Sequence, residues 1–402
     1  MQQILYVTPY VPYPLNKAAN LFIFKRIKIL SSAYEISLLS VTNNRTAADA
    51  DYSELGKYLK ALKIVLRKRV DPFTAISAAL SRESLFNLLA REILREISEQ
   101  HQSCDVVIFE HSFIAGFVLE KLPELREKSI VVFHNLEGPY FDKLFRLTAF
   151  PNIRKLFYWL EKRGAYRHEE LLREYPLRAC FFLSSKDLES FRTDANADRL
   201  LLSPTIDFSP VTAKRDQAQK DFDLVYVGQL DNGRNLEGLA WFFSRVWPAV
   251  QCERPGTSMA IAGRGDRQGV EKLVGAGHNI HLIGPVEDLS GLFSRSRICI
   301  VPMLATIGVQ TKLFEALSHG ILTVATSAAV EGTLFQHDRH LLVAGSEQEF
   351  SRQILAGLEN PEKFSRFRDE LESLAEFFRE DRMLAEMQRL IEGDVMREQQ
   401  IP

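Results

Sequence analysis

Short apolar runs rich in β-branched residues recur along this chain, and most are followed by a stretch whose apolar residues return at helical spacing. That alternation is the strongest constraint on the fold. Residues 3–8 (QILYVT) form the first run, and a proline-punctuated loop follows over 9–16. Leu21, Phe24, Ile27 and Leu30 then recur at helical spacing, and YEISLLSV (34–41) is the next run. A strand covered on both faces reads as a near-continuous run of Val, Ile and Leu, and a crossover helix reads as a period near 3.6. Strand, loop, helix, strand predicts a βαβ unit on a parallel sheet. The rhythm continues through CDVVIFE (104–110), SIVVFHN (129–135) and ACFFLSS (179–185), with one amphipathic helix predicted over 84–100 and a long one over 151–175.

The pattern then stops and restarts. Residues 207–221 are polar, contain proline and lack apolar periodicity, which predicts an interdomain linker. Strand-like runs resume at 222–230, 258–265, 279–286, 298–304 and 321–328, and from 347 onward the chain reads as helices. The fold class is therefore α/β, with two successive doubly wound domains, 1–206 and 222–375. Open parallel sheets bind ligands beyond the carboxyl ends of their strands, where strand order reverses. Two such domains in succession predict a cleft with one substrate on each.

Composition narrows the function. Among 402 residues the formal net charge is −2, so no global charge argues for nucleic-acid binding. Cys104, Cys180, Cys252 and Cys299 show no metal-ligand spacing and read as buried small hydrophobes in a reducing compartment. The N-terminus lacks a basic segment and reaches prolines too early for a signal peptide, and no 18-residue apolar run is present. These features predict a cytoplasmic protein. G-x-S-x-G, H-E-x-x-H and phosphate-loop sequences are absent, and GRGDRQG (263–269) lacks dinucleotide-fingerprint spacing.

The stretch VPMLATIGVQTKLFEALSHGILTVAT (301–326) carries the most chemical information. Its strand is expected to end near Leu304, Gly308 would let backbone approach a ligand, and a helix is expected from Val309 or Gln310. The helix start offers free N–H groups and a positive dipole end, with Lys312 adding a charge and Glu315 one turn further on the same face. A diphosphate at Lys312 and a ribose at Glu315 would satisfy both. An exposed i,i+3 ion pair on an ordinary capped helix fits the spacing as well.

The segment resembles the C-terminal domain of GT-B glycosyltransferases of family 4, whose helix reads roughly G-x-x-x-K-x-x-E-A-(L/M)-x-x-G before P-V-V-A-T. Here it stands as Gly308, Lys312, Glu315, Ala316, Leu317, Gly320 and TVAT. VYVGQLDNGRNLEGLAWFFSRVWPAV (225–250), MAIAGRG and IHLIGPVEDLSGLFSRSRICIVPM follow that domain in order, and FHNLEGPYF (133–141) resembles the H-N-x-E segment of the N-terminal domain. A subgroup of sugar transferases with G-V-Q-N-K-x-x-E-A is closer still. The resemblance implies a GT-B fold, an acceptor domain completed by the C-terminal helix at about 376–402, and transfer of a sugar from a UDP- or GDP-type donor to a glycan or lipid-linked hydroxyl, with retention. No metal-binding D-x-D pattern with strand context is present, so no obligatory metal is expected. His134 and Lys312 would be catalytic; Gly308, Val309, Gln310, Lys312, Glu315, Arg264, Arg234, Pro285 and Val286 would bind the nucleotide sugar. It departs from the family at Ile307, where a first glutamate is usual, at Gln229, where an arginine is usual, and at Asn235, where a lysine is usual. An inactive GT-B subunit stabilising a partner transferase, and a nucleotide-sugar epimerase, are the alternatives.

Other polar residues fall at strand ends or in loops near the expected cleft: Glu110, His111 and Glu137 for acceptor contacts, and Lys17 and Asn20 for phosphate. Two basic stretches, 57–69 and 152–167, the second interleaved with aromatics, would suit peripheral contact with the inner membrane surface.

Overall fold

The computed structural model describes residues 1–15, 18–43, 50–69, 71–148, 151–192, 197–202, 208, 220–275, 279–286, 288–306 and 308–393. Its contacts divide the chain into two compact units, Met1–Thr205 with Glu380–Ile401, and Ile206–Arg379 with Pro402. Most of the expected linker 207–221 lies outside the described residues.

The first unit holds a seven-stranded sheet of order β3-β2-β1-β4-β5-β6-β7. Its strands are β1 (Gln3–Thr8), β2 (Glu35–Thr42), β3 (Ala61–Leu66), β4 (Val106–Glu110), β5 (Ser129–Phe133), β6 (Ala179–Phe182) and β7 (Asp198–Leu201). All pairings are parallel, with Val7 opposite Phe109 and Ile4 opposite Ile36. Alternate residues feed opposite faces: Leu5, Val7, Val107 and Phe109 enter one core, and Ile4, Tyr6, Val106 and Ile108 the other. Burial on both faces is why these strands read as unbroken apolar runs. The helices used below are α1 (Ala18–Leu30), α2 (Pro72–Ser81) and α3 (Ile153–Glu174), and, near the chain's end, Glu380–Glu392. That last helix places Met383, Met387, Leu390 and Ile391 in the first unit's core, and Arg178 donates to the Ile391 carbonyl at 2.5 Å.

The second unit holds a six-stranded parallel sheet, β10-β9-β8-β11-β12-β13, formed by β8 (Phe222–Val227), β9 (Met259–Ala262), β10 (Ile280–Gly284), β11 (Ser296–Val301), β12 (Leu322–Thr326) and β13 (Leu342–Ala344). Its key helices are α4 (Gly233–Trp241) and α5 (Thr311–Ser318). The strand order reverses between β1 and β4 in the first unit and between β8 and β11 in the second, giving each unit one topological switch point.

Several local expectations need correction. The helix expected over 84–100 is two helices, Leu85–Leu89 and Glu92–Gln100. β11 stops at Val301 rather than near Leu304, and α5 starts at Thr311 rather than Val309 or Gln310. Residues 242–246 form a π-helical turn just before Pro248, which lacks an N–H to continue the i→i−4 ladder. Cys252 is exposed, while Cys104, Cys180 and Cys299 are buried.

Candidate functional site

At the second unit's switch point the loops are packed by glycine. A Cβ on Gly238 in α4 would lie 2.0 Å from the Pro302 carbonyl oxygen, so only glycine lets this helix rest on the loop after β11. Thr326 Oγ1 donates to the Met303 carbonyl at 2.5 Å and Thr306 Oγ1 to the Ala328 carbonyl at 2.7 Å, tying that loop to the end of β12. Gly308 then adopts φ +69°, a conformation that disfavours residues with a Cβ. No side chain caps α5: Gln310 turns back to the Gly308 carbonyl at 3.2 Å, leaving the helix start available to an anion.

Lys312 is half-buried here, reaching from α5 across the switch point. Its Nζ donates to Asn235 Oδ1 at 2.5 Å, stands 3.3 Å from Tyr226 Oη and 3.3 Å from Met303 Sδ, and lies 5.2 Å from the centre of the Tyr226 ring. Asn235 is fixed in turn, its Nδ2 donating to the Gln229 carbonyl at 2.8 Å. Among the described residues no carboxylate lies within ion-pair distance of Lys312. Burial, only partly offset by Cys299 and Glu315, pushes its pKa down to about 8. Burial likewise raises the Glu315 carboxyl, against the opposing effect of Lys312. Glu315 is half-buried, and its carboxylate has no hydrogen bond among the described residues. The exposed i,i+3 ion pair is thus not what forms. A desolvated cation backed by neutral oxygens attracts an anion strongly, because an arriving charge meets little competing water.

The other expected donor residues sit on neighbouring loops. Arg234 is half-buried in the first turn of α4, where its backbone N–H donates to Asn232 Oδ1 at 3.1 Å. Arg264 is exposed after β9, its carbonyl accepting from Leu230 N at 2.6 Å. Pro285 and Val286 follow β10, and Val309 is half-buried beside Gln310. Among the described residues none of these is hydrogen-bonded to Lys312 Nζ, whose partners are Asn235, Tyr226 and Met303; neither Tyr226 nor Met303 carries a sequence signal for that role. Ile307, Lys17 and Glu287 lie outside the described residues.

The first unit's switch point holds a second cluster. Glu110, the fully buried last residue of β4, accepts from Arg26 of α1 and from Tyr6 of β1, and faces His134 Nε2 at 2.5 Å. Burial alone would raise this carboxyl, yet Arg26 and His134 hold it well below the ordinary carboxylate range. His134 follows β5 and is 8% exposed; burial and the neighbouring His111 lower its pKa, against Glu110. A carboxylate only accepts, so the proton in this contact sits on His134 Nε2. His111 stacks on His134 with ring centres 4.2 Å apart and planes 9° from parallel. Its Nδ1 meets Glu137 Oε1 at 2.6 Å and its Nε2 lies 3.3 Å from Tyr10 Oη. His111 has φ +78°, a conformation unusual for a residue with a Cβ. Asn20 is buried, donating to the Pro14 carbonyl at 2.8 Å. The cluster presents two stacked imidazoles, each held by a carboxylate partner.

Residues 221–360 match the family described as "Glycosyl transferases group 1". A Klebsiella pneumoniae relative described as an uncharacterized 44.6 kDa protein in the cps region is 26% identical over 367 residues, covering 88% of this chain and 90% of the relative. Among solved structures, sucrose-phosphate synthase of Thermosynechococcus elongatus superposes with a TM-score of 0.67 at 12% identity, over 98% of both chains. Anabaena HepE in complex with UDP and glucose superposes with a TM-score of 0.64 at 13% identity, over 98% of this chain and 100% of that one. The chain has the GT-B fold, and its second unit, over residues 221–360, matches the group 1 glycosyltransferases.

Proposed function

We propose that this protein is a glycosyltransferase that moves a sugar from a nucleoside diphosphate donor to a hydroxyl of a glycan or lipid-linked acceptor, with retention. The observation that carries the reading is Lys312: a desolvated ammonium without an ion-pair partner among the described residues, at the switch point of the unit that matches the group 1 glycosyltransferases. Positive potential held there stabilises the negative charge that develops on a leaving diphosphate. The start of α5 adds its free N–H groups, Glu315 accepts from the ribose hydroxyls, and Arg234 and Arg264 approach the phosphates. Gly308, Val309 and Gln310 line the phosphate side, and the backbone at Pro285 and Val286 meets the base. In the first unit, His134 and His111 orient sugar and acceptor hydroxyls.

Support for a uridine diphosphate donor comes from HepE, solved with UDP and with UDP-glucose. Support for a glycan pathway comes from the cps-region relative and from S. aureus TarM, solved with fondaparinux, alpha-GlcNAc-glycerol and UDP. The test is a panel of UDP- and GDP-sugars read by nucleotide release, with and without glycan acceptors. Release that requires Lys312 and is accelerated by an acceptor supports the reading. Binding without release from any donor would favour the inactive-subunit alternative, and conversion of donor alone into an isomeric nucleotide sugar would favour the epimerase.

A further inference from the structure

We infer that the first unit docks on an anionic lipid bilayer through the outward faces of α2 and the start of α3, an inference independent of the donor-site reading. α2 is built inside-out. It packs on its neighbours through Ala78, which is 2% exposed in a cluster with Leu85, Leu88, Leu89 and Leu160. Its large apolar residues point the other way: Phe73 is 84% exposed, Ile76 57% and Leu80 81%. At 100° per residue these three fall within an arc of about 60°. The helix is well formed, with Asp71 capping its start by accepting from Thr74 N at 2.9 Å. A soluble helix ordinarily buries its largest apolar side chains, so this arrangement calls for a second apolar phase on the open side.

α3 extends the same surface. Leu160 is buried under Ala78, and Arg163 Nη1 donates to the Ala79 carbonyl at 3.1 Å, so the two helices touch. Seven and four residues earlier in the i, i+3, i+7 row of Leu160, Ile153 is 86% exposed and Leu156 57%. The apolar row therefore runs out of the buried junction into the open.

Charge identifies the occupant. Residues 67–82 carry Arg67, Arg69 and Arg82 against Asp71, besides Lys68, which pairs with Glu92. Residues 142–163 carry six Lys and Arg against Asp142 and Glu161; Asp142 pairs with Arg146 and Lys162, Glu161 is 3% exposed, and Lys143, Arg154, Lys155 and Arg163 remain as excess positive charge. The whole chain has a formal net charge of −2. Positive charge gathered around apolar side chains is the pattern of a surface that lies in the headgroup region of anionic lipids. No helix among the described residues is long and apolar enough to cross a membrane. The basic stretch 57–69 contributes less than its sequence suggested. Lys57, Lys60, Lys63 and Lys68 pair with Glu54, Glu35, Glu96 and Glu92.

The test is flotation of the full chain with vesicles of phosphatidylethanolamine and phosphatidylglycerol, beside vesicles of phosphatidylcholine alone. Wild type should float with the anionic vesicles, less at high salt. Phe73→Ser/Ile76→Ser/Leu80→Ser should lower the partition coefficient about a hundredfold, with melting temperature and UDP binding unchanged. Ile153→Ser/Leu156→Ser should weaken it separately. Phe73→Trp should show a blue shift of its emission on anionic vesicles. Failure of wild type to bind anionic vesicles overturns the inference, as does a triple variant that floats like wild type. Self-association of wild type that the triple variant abolishes, without lipid binding, would assign the face to a second copy instead. Loss of UDP binding in wild type would bear on the donor site and leave these outcomes untouched.

Discussion

The titration of Lys312 gives the donor-site proposal a sharp test. The free protein holds this ammonium at a pKa of about 8, against an ordinary lysine value of 10.5. A diphosphate placed against Nζ favours the charged form and returns the pKa towards its ordinary value. Above about pH 8 the protein must then take up a proton to bind, and affinity should fall about tenfold per pH unit until the bound-state pKa is reached. UDP should bind about tenfold more weakly at about pH 9 than at about pH 7.5, a window in which its terminal phosphate has already lost its last proton. Isothermal titration calorimetry in two buffers of different ionisation enthalpy reads both the affinity and the proton uptake. Lys312→Met should bind weakly with no pH dependence in this window, whereas Lys312→Arg should keep its charge and lose the pH dependence. Stability runs the other way. The folded pKa lies below the unfolded one, so between about pH 8 and the ordinary lysine value the unfolded chain binds the extra proton, and this group's contribution to stability rises with pH. Weaker binding caused by unfolding is thereby distinguished from weaker binding caused by Lys312. Equal UDP affinity across the window, with no proton uptake, would refute the assignment of Nζ to the phosphates.

Further expectations follow from the same geometry. Glu315→Ala should weaken UDP binding ten- to a hundredfold, about 1.5–3 kcal/mol for hydrogen bonds to a charged acceptor, and calorimetry showing unchanged affinity would remove the ribose role. Gly238→Ala forces a methyl group against the Pro302 carbonyl and should cost about 1–3 kcal/mol in urea unfolding. Glu110→Gln leaves the Arg26 guanidinium buried without its carboxylate and should cost about 3–5 kcal/mol. The folded Glu110 pKa is depressed, so its stabilisation is present above the ordinary glutamate value of 4.5 and is lost as pH falls towards the folded value. Glu110→Gln should accordingly flatten the acid limb of the stability profile. His111→Gln should lower acceptor-dependent turnover while leaving UDP affinity unchanged, which separates the two units in one assay.

What could be read from the sequence depended on how local its signal was. β1, β4, β5 and β8 are buried on both faces and announced themselves as apolar runs. β3 did not: ALKIVL lies at the sheet edge with Val65 its one buried residue, so Lys63 made it look like part of a basic stretch. β7 and β13 are edge strands of four and three residues, too short for a period to register. Lys312 and Glu315 were visible because spacing and resemblance coincide within one helix. Their setting was not visible. Asn235, read as a lost lysine, is the acceptor that holds Lys312, 77 residues away in sequence. Tyr6, Arg26 and Glu110 meet across separations of 104 and 84 residues, which no local pattern encodes.

The helix Glu380–Glu392 has a consequence for how the protein is made. It supplies Met383, Met387, Leu390 and Ile391 to a core whose other members end at Leu202. A ribosome adding residues from the N-terminus exposes that core's open side throughout synthesis of Ile206–Arg379, a unit with a complete sheet of its own. The unit translated second is therefore free to finish folding first, while the unit translated first waits for Glu380–Glu392 to emerge. During that interval its unfilled face is a surface for chaperones. A nascent chain stalled before Glu380 should carry a protease-resistant second unit beside a protease-sensitive first one.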